Sequence, residues 1–473
     1  MSDTVSTPAQ PSDLSRILDR QRAAFLNDGP PGLEQRRADL RRLKAEILKH
    51  KIEILQALNT DFGHRSVRES AIVELIPLLH SITYLIRNLR HWMRPERRHV
   101  APYFQCGRAW VIRQPLGVVG IIAPWNYPLS LALVPLATAL AAGNRAMLKP
   151  SELTPTTSAV IEKIIQAIFP PDQVSVVTGD AEVGAAFSAL PFDHILFTGS
   201  TAVGKKIAAA AARNLTPVTL ELGGKSPVII EPAFSMKDMA ERVAYGKLTN
   251  AGQTCIAPDY VLVHKADQDA FAAAFQEAAK KLYPHGYAGS PDYTAILNQH
   301  HYERLNRLIQ DAKTLKARVI RLGDDSPADH LLAPVLVLDA TPEMAVMQEE
   351  IFGPVLPVLT YWHPDEAIAF INERPRPLAL YYFGKKRHEL NRVLKYTVSG
   401  NVTVNGTLLH YAQEDLPFGG VGESGIGAYH GKEGFMALTH PRGIYKQGRF
   451  NAATLLQPPF GKLTDIITNL MTR

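Results

Sequence analysis

Apolar residues recur at helical spacing through roughly the first hundred positions, and then the pattern changes. From residue 14 to about residue 97 the chain is rich in helix-forming residues with few β-branched runs. In "RRLKAEILKHK" the apolar stripe is Leu40, Leu43, Ile47 and Leu48, which leaves the basic side chains on a solvated face. Residues 1–15 have no such period and read as a loose tail. The following "VAPYFQCGRAWVIRQPLG" alternates polar and apolar residues between glycine and proline, which predicts a hairpin or an edge strand.

Past residue 115 the apolar residues gather into short runs: "GVVGIIAP", "RAMLKP", "VSVVTG", "HILFTGS" and "VTLELGG". Between them, "TPTTSAVIEKIIQAIF", "EVGAAFSAL" and "AVGKKIAAAAARN" keep a helical period. Strand alternating with helix predicts a parallel sheet covered by helices on both faces, which binds ligands at the carboxyl ends of its strands. The alternation restarts with "SPVIIE", a helix near 237–250, "YVLVH", a helix near 267–282, and strands near 332–338, 355–361 and 378–383. The expected fold class is therefore α/β with two α/β domains, their boundary near Gly223 and Gly224.

Composition narrows the function classes. A chain of 473 residues, 46% hydrophobic and 20% charged, is an ordinary globular protein with room for two or three domains. Two cysteines cannot build a disulfide framework, and the N-terminus lacks the basic and apolar regions of a signal peptide, so a cytoplasmic location is expected. Its most apolar stretch, 129–142, falls short of the about 18 residues that span a bilayer, so stable membrane insertion is not expected. The net charge of +6 is spread among acidic neighbours, which argues against a nucleic-acid partner. Sixteen histidines show no ligand spacing; His300 and His301 are adjacent, H-E-x-x-H is missing, and no metal is predicted.

Two glycine motifs invite misreading. "GSTAVGKK" matches G-x-x-x-x-G-K, but Lys206 stands where a P-loop has the Ser or Thr that binds Mg²⁺. What survives is a tight turn opening a helix, where Gly199, Ser200 and Gly204 either bring backbone N–H groups to a phosphate or make an ordinary strand-to-helix turn. In "GGVGESGIG", Gly420, Gly422 and Gly425 satisfy G-x-G-x-x-G but follow no clear strand, so a crowded loop is the better reading.

Three residues could carry chemistry. Cys255, in "NAGQTCIAP", lies just beyond a predicted helix, where it is either a small buried hydrophobe or a thiol exposed at a domain edge. Glu221 is a carboxylate in an otherwise apolar strand, either a base or a solvent-facing residue. Asn126 ends another strand and offers an amide to an oxyanion, or simply makes a turn.

Taken in order, "PWN" at 124–126, "KPSE" at 149–152, "FTGS" at 197–200, "ELGGK" at 221–225, "GQTC" at 252–255, "EEIFGP" at 349–354 and "PFGG" at 417–420 resemble the aldehyde dehydrogenase superfamily, from about residue 14 to about 462. "GQTCIAPDYVL" and "SGIGAYHGKEGF" are similar to its class 3 branch. "RQRAAFL", "DFGHRS" and "HWMRPERRHV" are similar to bacterial coniferyl aldehyde dehydrogenases. Those last three segments are expected to lie far from the pocket and to mark kinship only.

The resemblance implies an NAD-dependent oxidoreductase that tolerates NADP and oxidises an aromatic or α,β-unsaturated aldehyde; a long-chain aliphatic aldehyde and a redox-silent binding homologue are the alternatives. Cys255 would be the nucleophile, Glu221 the base that activates water, and Asn126 with the Cys255 N–H the oxyanion site. Trp125, Lys149, Glu152, Gly199, Ser200, Gly204, Glu350 and Phe352 would hold the cofactor. Glu152 suits the ribose 2′-hydroxyl of NAD and repels the 2′-phosphate of NADP, an effect that Lys149 softens. The implied organisation is N-terminal helices over 1–98, a bridging hairpin over 99–115 containing Cys106, a Rossmann-type NAD-binding domain over 116–222 and a catalytic domain over 223–411. A return segment over 412–440 and an oligomerisation strand and tail over 441–473 would follow. A homodimer is expected. In the tail, Leu463, Ile466, Ile467, Leu470 and Met471 form an apolar stripe suited to docking on this subunit or a second one.

Overall fold

The structure, a computed structural model, describes residues 11–232, 234–449 and 452–472. A helix, Pro11–Asp28, already occupies part of the stretch read as tail, because Leu14 and Leu18 are buried in one cluster with Val118, Ile195 and Phe197; residues 1–10 lie outside the described residues. The helix Leu33–Lys49 buries Leu40, Leu43 and Ile47, but Leu48 is 47% exposed. It follows Ile47 by one residue, about 100° further round the helix, which turns it off the buried face. Leu33–Lys49 and Ile76–Trp92 pack on Ser130–Ala142, a helix buried on every side, in keeping with a sequence that is apolar but for Ser130 and Thr138. The run Val67–Trp92 has the length and hydropathy of a membrane span, yet it contains a π-turn, Ala71–Leu75, and buries Leu78, Ile82, Leu85 and Leu89.

Among the described residues the strands form three sheets. β1 (Glu96–Arg98) and β2 (Arg108–Pro115) are antiparallel, with exposed Cys106 in the loop between them. Five parallel strands follow: β3 (Val118–Ile122), β4 (Arg145–Lys149), β5 (Val174–Val176), β6 (His194–Thr198) and β7 (Val218–Glu221), in spatial order β7-β6-β3-β4-β5. The order reverses between β3 and β6, which creates the crevice at their carboxyl ends where such sheets bind ligands.

The chain then leaves for a second sheet made of β8 (Pro227–Ile230), β9 (Tyr260–His264), β10 (Arg318–Arg321), β11 (Val335–Leu338), β12 (Val355–Tyr361), β13 (Ala379–Phe383) and β14 (Asn401–Val404). Its order is β10-β11-β12-β9-β8-β13-β14, all parallel except the edge strand β10. Next, β15 (Gly425–Ile426) returns to the first sheet and pairs Gly425 with Glu221. Finally β16 (Thr439–Lys446) pairs along the whole of β2. The stretch read as a hairpin over 99–115 therefore starts at Glu96, and β2 is the centre of a three-stranded ribbon, not an edge. The loop around Gly420 and Gly425 is crowded: a Cβ on Gly420 would collide with the Ser424 carbonyl and one on Gly425 with the Leu220 carbonyl.

Candidate active site

The carboxyl ends of β3, β4, β6 and β7 open into one cleft of about 1250 Å³. Trp125 and Asn126 reach it after β3, Lys149 and Glu152 at the end of β4, Gly199 and Ser200 after β6, and Glu221 at the end of β7. Cys255, Glu350 and Phe352 line the same cleft from the half of the chain that carries the second sheet. Gly204 does not line it. It is buried within the helix Thr201–Ala212, where a Cβ would come 2.6 Å from Leu222, so it serves helix-to-strand packing and not ligand contact.

The donor set of the cleft fits a dinucleotide. Ser200 caps the helix Thr201–Ala212 by accepting from the Val203 N–H, which leaves that helix's first turn and its positive dipole end at the cleft wall. Lys149, almost wholly buried, donates to half-exposed Glu152 at 3.0 Å. Glu350, on the far wall, keeps one carboxyl oxygen buried without a partner. Burial, helped by the Asp259 carboxylate, raises its pKa to about 8. Phe352 adopts a left-handed backbone (φ 50°) and meets the Trp125 ring edge-on at 5.3 Å.

Cys255 follows a strained turn: Asn250, Ala251 and Gly252 all have φ between 50 and 75°. Two non-glycine residues in this region persist only where their surroundings hold them. Gln253 supplies part of that hold. Its side chain donates to the carbonyls of Asn250 (3.1 Å) and Ala295 (3.0 Å) and accepts from Leu297 N (3.0 Å). The Asn126 amide donates to the Gln253 carbonyl at 3.2 Å, and the Tyr127 and Thr254 hydroxyls meet at 2.6 Å. Asn126 and Cys255, 129 positions apart, are thus fixed to one another.

Cys255 is half-buried, not exposed as its turn suggested. Burial, then the nearby Glu350 and Glu221 carboxylates, pushes its thiol pKa upward, while the backbone N–H groups of Cys255 and Ile256 pull it down. Glu221 is not the solvent-facing residue its strand allowed: it is 2% exposed, both carboxyl oxygens lack a partner, and burial holds its pKa well above the carboxylate range. A second cavity, of about 200 Å³, meets the cleft at Cys255 and Glu221. Its walls are apolar and aromatic, with Tyr127, Tyr245, Tyr411, Phe418 and Tyr429 among them.

Several residues of this arrangement had no motif to announce them. Ile72, Val73 and Pro77 line the second cavity, and Arg65 donates to the Asn126 backbone carbonyl at 3.2 Å. Arg65 belongs to "DFGHRS", so that segment does not lie far from the pocket: it bonds to Asn126, and Ile72 and Val73 a few residues further on line the second cavity. No local signal marked Arg65 and Glu74, because the segment between them carries Arg68 and Glu69 as well. Among the described residues, no group of three His, Cys, Asp or Glu side chains is arranged to hold a metal.

Comparison with known proteins agrees with this geometry. The aldehyde dehydrogenase family matches residues 6–444. A "Probable coniferyl aldehyde dehydrogenase" of Pseudomonas aeruginosa is 49% identical over 463 residues, 98% of this chain and 97% of that protein. Among solved structures, the substrate-bound state of Staphylococcus aureus AldH superimposes with a TM-score of 0.92 at 38% identity, covering 96% of this chain and 99% of that one. Mycobacterium tuberculosis aldehyde dehydrogenase complexed with NAD⁺ superimposes with a TM-score of 0.85 at 27% identity, covering 94% and 92%.

Proposed function

The chain belongs to the aldehyde dehydrogenase family and is an NAD(P)-dependent aldehyde oxidoreductase, and on that premise we propose that it oxidises aromatic or α,β-unsaturated aldehydes of the coniferaldehyde kind to carboxylates at Cys255. The observation that carries this reading is the meeting of two cavities at Cys255 and Glu221, one large and furnished with Lys149, Glu152, Ser200 and Glu350, the other smaller and walled by apolar and aromatic side chains. Aromatic walls favour a planar conjugated substrate, because ring stacking adds about 0.5–1.5 kcal/mol beyond burial. The name of the P. aeruginosa relative supports the same class.

The Cys255 thiolate attacks the aldehyde carbon, forming a C–S bond and a thiohemiacetal oxyanion. The second hydrogen of the Asn126 amide and the Cys255 backbone N–H stabilise that charge where it develops. Bound NAD(P) would supply the hydride acceptor, and loss of hydride from the thiohemiacetal carbon leaves a thioester on Cys255. Glu221, once ionised, takes a proton from water as the oxygen attacks the thioester; the C–S bond breaks, the thiolate is restored, and the carboxylic acid departs and loses its proton to solvent. Lys149 and Glu152 would hold the adenosine ribose, Gly199 and Ser200 the pyrophosphate, Glu350 the nicotinamide ribose, and Trp125 and Phe352 the nicotinamide. Glu152 makes NAD the preferred cofactor, and its ion pair with Lys149 leaves NADP tolerated.

We further propose a cytoplasmic homodimer, joined at the edge of the ribbon β1-β2-β16. The residues of β16 are mostly exposed, and an open strand edge is a template for pairing with another chain. The reading is tested by comparing kcat/KM for coniferaldehyde with that for a long-chain alkanal. Preference for coniferaldehyde is expected, whereas turnover of the alkanal alone would overturn the substrate class and leave the chemistry at Cys255 standing.

A further inference from the structure

Arg65 and Glu74 are both wholly buried and paired at 2.8 Å. Isolated from water, such a pair adds little stability over apolar residues of the same volume. This one is also incompletely satisfied, because Nε and Nη2 of Arg65 have no partner. What it does hold is a set of backbone groups. Nη1 of Arg65 donates to Glu74 and to the carbonyl of Asn126, and the guanidinium lies over the rings of Phe62 (4.7 Å) and Tyr127 (5.0 Å). The other Glu74 oxygen accepts from Leu129 N (2.9 Å) and Ser130 N (3.1 Å), where the helix after Asn126 begins. Asn250, in the strained turn before Cys255, places its side-chain amide on the same Asn126 carbonyl at 3.1 Å. Two donors therefore occupy that carbonyl and fix the plane of its peptide, and with it the direction in which the Asn126 side chain leaves the backbone. Glu69, from the same segment as Arg65, accepts from the Asn250 N–H (3.2 Å) and the Thr294 hydroxyl (2.8 Å) and so grips the other side of the turn.

We infer that Arg65, held by Glu74, is a positioning residue that sets the Asn126 peptide and thereby aims the Asn126 amide at the developing oxyanion. This rests on the reading of Asn126 as an oxyanion donor. A donor displaced by about 1 Å from its productive place loses up to about 100-fold in rate, which gives a buried charge pair a function that stability alone does not.

The test is a double-mutant cycle read without cofactor, through release of 4-nitrophenolate from 4-nitrophenyl acetate, whose attack by Cys255 builds the same kind of oxyanion. The pair variant Arg65→Met with Glu74→Gln removes both charges and keeps a carbonyl for Leu129 and Ser130. In the Asn126 protein it is expected to slow acylation roughly 10- to 100-fold, with NADH affinity by fluorescence titration unchanged. In the Asn126→Ala protein the same pair of changes is expected to slow it less than about twofold, because residues acting through one another are not additive. Equal losses in both backgrounds, or no loss in the first, would overturn the inference while leaving Asn126 as the donor. No loss from Asn126→Ala by itself would overturn the oxyanion reading and this inference with it. If the pair variant does not fold, Arg65→Lys, which keeps a cation beside Glu74, is read in the same two backgrounds against the same outcomes.

Discussion

Glu221 ends β7 with both carboxyl oxygens buried and unpartnered, so burial favours its protonated form over the ionised form that a working base needs. A raised pKa means that the ionised fraction grows as pH rises past the usual carboxylate range, and thioester hydrolysis should accelerate with it. Glu221→Gln should leave one equivalent of NADH released in a burst and slow the steady rate by about 10²–10⁴-fold, as loss of a general base does; stopped-flow absorbance checks both. Glu350 gives a second pH signature. Its folded pKa of about 8 exceeds the unfolded value of 4.5, so between these values the folded state binds more protons than the unfolded state, and stability falls as pH rises through that window. Glu350→Gln removes that slope. Without cofactor, its melting temperature should exceed that of the parent by more at pH 8.5 than at pH 5.5, and an unchanged difference would contradict the burial of Glu350. Gly204 is the counterexample at this scale: a motif placed it at a phosphate, while its contact with Leu222 gives it to packing.

Among the elements, those whose apolar runs are continuous were legible in the sequence. β3, β4, β6, β8, β9 and β12 stand within a residue or two of "GVVGIIAP", "RAMLKP", "HILFTGS", "SPVIIE", "YVLVH" and the run at 355–361, because a strand buried on both faces needs no alternation. β10, β14 and β15 were not legible. They are two to four residues long, and only pairing with a neighbour defines them. The strained turn was hidden for another reason: nothing local drives Ala251 into a left-handed conformation, and the hold comes from Gln253 and from Glu69, far away in the chain. One short element has a sharp test. Gly425 has φ 152° and a Cβ there would strike the Leu220 carbonyl, so Gly425→Ala should break the pairing of β15 with β7 behind Glu221. A loss of roughly 1–3 kcal/mol in unfolding free energy is expected, the usual size of such backbone strain; urea denaturation measures it, and an unchanged midpoint would show that β15 does not brace Glu221.

At the scale of the molecule, Asn126 and Cys255 from two separate turns and Glu221 from the end of β7 are gathered by the fold beside one cleft. No local pattern joins them; the order of the motifs along the chain did. The bracing by Arg65 and Glu74 stayed unread because a buried ion pair and a solvated one look alike in sequence. The tail shows a similar limit. Its apolar stripe is present in the helix Lys462–Met471, but Leu463, Ile466, Leu470 and Met471 remain exposed, so within this subunit it does not dock as its spacing suggested. The open edge of β16 predicts a particle of twice the chain mass by light scattering, and an Ile444→Pro variant, which removes an N–H from that strand, should shift the particle toward monomer. The most direct test of the central claim uses the scarcity of cysteine, since Cys106 and Cys255 are the only two. The Glu221→Gln protein, mixed with NAD and coniferaldehyde, quenched in acid and mapped by peptide mass spectrometry, should carry the acyl group of the oxidised substrate on the Cys255 peptide and none on the Cys106 peptide. An unmodified Cys255 peptide after NADH has formed would contradict the account.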